Sequence, residues 1–234
     1  MRKFISKLAN RLSPHEVRAS RQPEKLFKYP ELTQSNVENA TLFATRHDLI
    51  RHFAPQLRHG TVAEVGVMYG DFSDHLIHTI EPDLFVAIDR FNMHTIPVTW
   101  NNTPSADRFQ GMTHRAFYEK RFANCASRVR CEEGSSWEAM SRYTDQVFDL
   151  IYVDAGHDYE SVRRDADIAK LKIKPEGILV FNDYIRYSHY DDAYYGVIPV
   201  VNDLIVNEDF EVVGLALQAD MYCDIAIKKR TRKD

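Results

Sequence analysis

Two stretches hold the side chains best suited to chemistry. In "IYVDAGHDYESVRRD" an apolar run ends in Asp154, and His157 follows one short turn later. In "GILVFNDY" a second apolar run ends in Asn182 and Asp183. An imidazole can take a proton from a substrate hydroxyl at neutral pH. Between the two stretches lies "YESVRRDADIAKLKI", with apolar residues at helical spacing. A strand, a crossover helix and a strand bring the two strand tips side by side in a parallel sheet. Plain structural roles exist for the same residues: Asp154 as the cap of the following helix, His157 as a surface histidine, and Asn182 with Asp183 as a turn.

The rest of the chain supplies the elements that must position them. "TVAEVGV", "LFVAID", "VRCEEGSS" and "FDLIYVDA" read as strands, separated by the helical segments "MYGDFSDHLIHTI", "THRAFYEKRFANCA" and "SWEAMSRY". Upstream, "NVENATLFATRHDLIRHFAPQL" is expected as one helix stopping near Pro55, and "KPEG" as a turn before the "GILVF" strand. "YYGVIPVVNDLIVN" is helical, and "FEVVGLAL" and "MYCDIAIKK" close the chain as two strands. The fold expected is α/β: a doubly wound, mostly parallel sheet with an antiparallel C-terminal strand pair. Residues 1–35 are expected as an N-terminal extension and 36–234 as the domain, with 91–112 an irregular insertion.

In such a sheet, ligands bind beyond the carboxyl ends of the strands. The first strand–helix junction, "EVGVMYGDFS", departs from a dinucleotide loop, because Met68 and Asp71 stand where the second and third glycines would be. A side chain and a carboxylate at those places disfavour a pyrophosphate. Glu64 and Asp71 near the loop suit a ligand with positive charge. Asp89, at the tip of the second strand, can hold ribose hydroxyls. Loop, acid and strand pattern together favour a nucleoside without phosphates.

Composition narrows the class. With 44% hydrophobic residues the 234-residue chain can bury a sizeable core. A net charge of −4 gives no general attraction for nucleic acid, and the basic runs at the two ends read as solvated tails. No apolar stretch is long enough to span a bilayer, so no stable membrane insertion is expected. Cys125, Cys131 and Cys223 form no metal-finger pattern, and an odd cysteine number suits a reducing, cytoplasmic compartment.

The sequence resembles the class I S-adenosylmethionine-dependent methyltransferases over roughly residues 60 to 190. "EVGVMYG" is similar to their first motif, "VAIDR" to the ribose-binding motif and "EEGSSWE" to the loop that packs on adenine. The stretch from Ile151 to Tyr184 resembles the macrocin O-methyltransferase-like branch, with its Asp-x-x-His-x-Tyr pattern, a helix, and a strand ending in acids and a tyrosine. Two departures are Glu176 in place of a glycine and Asn182 in place of an acid.

The resemblance implies S-adenosyl-L-methionine as cofactor, held by Glu64, Gly66, Gly70, Asp71, Asp89, Arg90, Ser135, Ser136 and Asp154. It implies His157 as general base, with Asp154 and Asp183 catalytic beside it. It also implies Mg²⁺ at Asp154, Asn182 and Asp183, since oxygen-bearing side chains suit a hard cation. The expected reaction is methyl transfer to a hydroxyl of a small-molecule acceptor, a saccharide or secondary metabolite. Rival expectations are a metal-independent methyltransferase of the same fold and a catalytically silent S-adenosylmethionine-binding module. His189, Tyr184, Tyr187, Tyr190, Tyr194 and Tyr195 are candidates for the acceptor pocket. Trp100 and Arg108 are candidates for a lid or a plain surface loop, His94 and His114 read as structural or solvated, and the N-terminal extension is a candidate dimer arm.

Overall fold

Apolar runs of strand length and longer amphipathic runs sort into the layers expected of an α/β chain. The computed structural model describes residues 29–99 and 102–230. In chain order the elements are α1 (Gln34–Val37), β1 (Thr41–Phe43), α2 (Arg46–Leu57), β2 (Thr61–Val65), α3 (Asp71–Ile80) and β3 (Leu84–Asp89). Then come α4 (Ser105–Arg108), α5 (His114–Arg121), β4 (Val129–Glu133), α6 (Ser136–Ser141), β5 (Phe148–Val153), α7 (Tyr159–Lys172) and β6 (Ile173–Phe181). The chain closes with β7 (Tyr187–Ser188), β8 (Ala193–Tyr194), α8 (Val197–Asn207), β9 (Phe210–Ala216) and β10 (Asp224–Lys229).

One eight-stranded sheet has the order β1-β9-β10-β6-β5-β2-β3-β4, and β7 pairs with β8 apart from it. The central pairings are parallel, while β10 runs antiparallel to both β6 and β9. This is the Rossmann-like arrangement expected, including the antiparallel C-terminal pair. The order reverses between β2 and β5, which opens a crevice at their carboxyl ends. Register aligns the tips: Val65 pairs with both Ile88 and Val153, and Val153 pairs with Phe181. The next residues, Asp89, Gly66, Asp154 and Asn182, therefore stand in one row at the mouth of the crevice.

Alternate strand residues face opposite layers. Ala63, Val65, Ile151, Val153, Leu179 and Phe181 pack with the apolar stripes of α7 and α8. Val62, Leu150, Tyr152, Ile178 and Val180 pack against α2 and α3. Fully buried Leu49, Leu76 and Leu204 lock the helices onto the sheet, each burial worth about 1.5–3 kcal/mol. No helix among the described residues is long and apolar enough to cross a membrane.

Two expectations need correction. The single helix expected from residue 36 is split into α1, β1 and α2. Thr45 caps α2, accepting from the Asp48 N–H at 3.2 Å and donating to its carboxylate at 2.6 Å, and the freed "TLF" segment pairs with the edge of β9. The "KPEG" turn is extended chain within β6, with a register irregularity opposite β5. Ahead of α1, Asn202 donates to the Pro30 carbonyl at 2.8 Å, and Leu32 packs on the core.

Candidate active site

The row of strand tips borders two cavities. The smaller, about 450 Å³, is lined by Gly66, Asp89, Arg90, Ser135, Ser136, Trp137, Asp154, His157 and Asp165, among others. The larger, about 1190 Å³, is bordered by Arg46, Asn182, Asp183, Asp191, Tyr195 and Asp220, with Tyr190, Tyr194 and Tyr222. Met68, Asp154, Ala155, His157 and Asp158 line both. Residues from opposite sides of the crevice, Asp89 and His157, thus share one cavity.

The glycine loop is shaped by close approach. A Cβ at Gly66 would lie 1.9 Å from the Asp154 carbonyl oxygen, and Gly66 has φ +87°. Only glycine lets β2 turn so tightly against the tip of β5. The loop is then held from beneath. Asp89 accepts from the Val67 and Met68 amides at 3.0 and 3.3 Å, and from the Phe91 amide at 2.8 Å. A carboxylate has roughly four lone-pair sites, so Asp89 retains acceptor capacity toward the cavity. Met68 adopts φ +48°, and the fully buried His114 ring contacts its carbonyl. His114 is structural, as its lack of a spacing partner suggests, but its task is to hold this loop.

On the far wall Ser135 donates to Glu138 at 2.5 Å, and Ser136 donates to Asp165. Asp165 is almost fully buried, and burial lifts its carboxyl to about 6. The gap by the loop, the residual capacity of Asp89 and the polar wall at Ser135 fit a nucleoside.

Not every expected cofactor residue reaches this cavity. Glu64 is buried beneath it and accepts from Ser73, and burial raises its carboxyl to about 8. Gly70 starts α3 with φ +81° and faces the rings of Phe122 and Tyr118. Asp71 points outward to an ion pair with Arg121 at 2.6 Å.

At the shared rim, Nε2 of His157 lies 3.3 Å from Asp183 and 3.7 Å from Asp154. Its ring stacks on Tyr195. Burial alone would lower the imidazole pKa, but Asp154 and Asp183 outweigh it and hold it above the ordinary value. Burial, reinforced by Asp154, raises Asp183 to about 7. The helix cap that Asp154 might have provided comes from Asp158, which accepts from the Ser161 amide at 3.0 Å. Asp154 lines both cavities instead.

The donors implied for Mg²⁺ do not fit an ion. The Asn182 amide nitrogen donates to buried Asp224 at 3.1 Å, which leaves only its neutral carbonyl oxygen for an ion. The His157 Nε2 lies against both Asp154 and Asp183, where a shared ion would have to compete with it. No group of three or more His, Cys, Asp or Glu among the described residues could hold a metal ion.

Several residues were invisible to motif reasoning. Arg46 reaches Asp154 from α2 at 3.7 Å. Asp224, from β10, collects donors from Tyr152, Asn182 and Gln218. Among the tyrosine candidates, Tyr184 instead bonds Asn202 on α8, Tyr187 bonds Asp192, and the His189 amide donates to Tyr222 at 3.0 Å. Arg108 stacks over Tyr69 at 4.8 Å, and neither it nor His94 lines either cavity. Trp100 and residues 1–28 lie outside the described residues.

A crevice at the reversal of a parallel sheet, a tight glycine loop and an acid at the second strand tip suit a nucleoside-using enzyme. Residues 63–184 match the methyltransferase-domain family model, and the chain belongs to that family. It is an S-adenosylmethionine-dependent methyltransferase. No curated protein sequence matches it. Its fold is similar to that of a candidate caffeoyl-CoA O-methyltransferase from Staphylococcus aureus, at 15% identity over 93% of each chain with TM-score 0.56. It is also similar to a candidate O-methyltransferase from Klebsiella pneumoniae, at 10% identity over 88% of this chain and 84% of that one, TM-score 0.57. A Podospora anserina methyltransferase bound to S-adenosylhomocysteine superposes with TM-score 0.52, at 14% identity over 80% and 79% of the chains.

Proposed function

We propose that this enzyme methylates a hydroxyl oxygen of a small molecule, a saccharide or secondary metabolite, with His157 as general base. We place it in the macrocin O-methyltransferase-like branch, on the Asp-x-x-His-x-Tyr pattern from Asp154 to Tyr159. The observation that carries the reading is the shared rim: the cavity suited to a nucleoside opens onto a larger one at Asp154 and His157.

When bound, S-adenosylmethionine supplies a sulfonium-activated methyl group, whose C–S bonding pair stays with sulfur as the new C–O bond forms. Gly66, Asp89, Arg90, Ser135, Ser136 and Asp154 line the space that would hold it. A neutral hydroxyl is a weak nucleophile, so its proton must leave as the bond forms. The His157 Nε2 faces the two carboxylates and keeps the resident ring proton, which leaves Nδ1 to take the proton from the acceptor. The imidazolium so formed is stabilised by Asp154 and Asp183. Tyr190, Tyr194 and Tyr222 offer flat faces with polar tips, a surface suited to a hydroxyl-rich ring.

The test is release of S-adenosylhomocysteine over a panel of glycosides and phenols. His157→Gln should lower turnover by about 100-fold or more while calorimetry shows S-adenosylmethionine affinity unchanged. Binding of the cofactor with no methylation of any compound, or full activity of His157→Gln, would reject the reading.

A further inference from the structure

The geometry points to Arg46 and His157 standing where the resemblance puts a divalent ion, so that this site works without one. The inference takes the larger cavity as the acceptor site proposed above, but its test reads ion binding and needs no acceptor.

Three observations converge. An ion bridging Asp154 and Asp183 would have to compete with Nε2 of His157, which lies 3.7 and 3.3 Å from the two carboxylates. The other oxygen of Asp154 already faces a cation, the Arg46 guanidinium at 3.7 Å. The third residue brings no charge: Asn182 gives its amide N–H to Asp224 at 3.1 Å, which leaves only a neutral carbonyl oxygen for an ion. An acid at position 182 would set a second carboxylate against buried Asp224. Asparagine there fits a chain whose cations are side chains.

Arg46 is built in rather than passing by. Thr45 caps the helix that it begins, and its own amide donates to Gln218 at 3.3 Å. Its guanidinium lies over the Phe72 ring at 4.3 Å and donates to the Tyr152 hydroxyl at 3.4 Å. The Tyr152 hydroxyl donates onward to Asp224, which also accepts from Gln218 at 3.0 Å. One polar network therefore fixes Arg46, Asn182 and the floor of the cavity together. A guanidinium stays charged at any working pH, so it offers a permanent positive charge at the rim where an acceptor oxygen gains negative charge.

The probe is Mn²⁺, followed by electron paramagnetic resonance on the full chain, with and without S-adenosylhomocysteine. The wild-type protein should leave the free-ion signal undiminished to about 1 mM, weaker than ordinary carboxylate sites. Removing either side chain should unmask the acids: Arg46→Gln and His157→Ala should each bind Mn²⁺ at least about tenfold more tightly. Adding Asp154→Asn should abolish the gained binding. Thermal melts verify that each variant is folded, and either variant alone suffices if the other is not. Micromolar Mn²⁺ binding by the wild type that Asp154→Asn removes would overturn the inference, as would folded variants that gain no ion. Neither outcome touches the methylation test of His157, so the two can fail separately.

Discussion

The imidazole of His157 lies flat on the phenol ring of Tyr195, with centroids 4.5 Å apart and planes 8° from parallel. The neighbouring Gly196 amide donates to the His157 carbonyl at 2.7 Å, and the Tyr195 hydroxyl is anchored on Asp191. Ring and main chain thus clamp the base from one side while the carboxylates face it from the other. Tyr195→Leu should lower turnover by about tenfold or more through a misplaced base, with cofactor affinity unchanged. Tyr195→Phe keeps the stack and should stay within about threefold of wild type. Steady-state kinetics of both variants on one acceptor checks this.

The rate should rise with pH, because the base must shed its proton before it can act. Asp154 and Asp183 hold His157 above its ordinary value, and Asp183 itself is raised to about 7. The rising limb therefore reports the His157–Asp183 pair and lies above an ordinary imidazole. Asp183→Asn removes one of the charges that favour imidazolium, so the limb should move to lower pH. A pH profile of kcat for wild type and variant reads both positions.

The sheet and its strand tips were legible because burial on both faces leaves continuous apolar runs that end in polar residues. Asp89, Gly66, Asp154 and Asn182 could be placed in one row because parallel register aligns strand ends. The α1–β1–α2 break was missed because helical spacing in "NVENATLF" masked the Thr45-x-x-Asp48 cap. Arg46 and Asp224 were illegible for a different reason. They come from elements outside the motif region and meet Tyr152 only through tertiary packing. Asp71 misled because an acid beside a glycine loop looks the same in sequence whether it faces a ligand or Arg121.

Glu64 makes stability depend on pH. Its folded-state value of about 8 stands above the ordinary 4.5, and burial is the main cause. Between those values the folded chain binds more protons than the unfolded one, so stability falls as pH rises. The slope approaches about 1.4 kcal/mol per pH unit inside that window. Glu64→Gln keeps an acceptor for Ser73 and removes the titration. Urea unfolding at pH 5 and pH 8 should show a loss for wild type that the variant largely lacks.

Gly66→Ala should be severe. The added Cβ would sit 1.9 Å from the Asp154 carbonyl oxygen, at a backbone angle of +87°. Moving the tip of β5 to relieve the clash displaces Asp154 and His157 together. A loss of at least about 2 kcal/mol in stability is expected. Calorimetry on any folded fraction should show S-adenosylmethionine binding lost. Wild-type affinity would mean that the loop does not border the cofactor.

The most direct test is a crystal structure with S-adenosylhomocysteine. The nucleoside is expected between Gly66, Asp89 and Ser135, with its sulfur at the rim formed by Asp154 and His157 and the tyrosine-lined cavity open beyond it. Density for the nucleoside in the larger cavity, or on a face away from Asp154, would contradict the account.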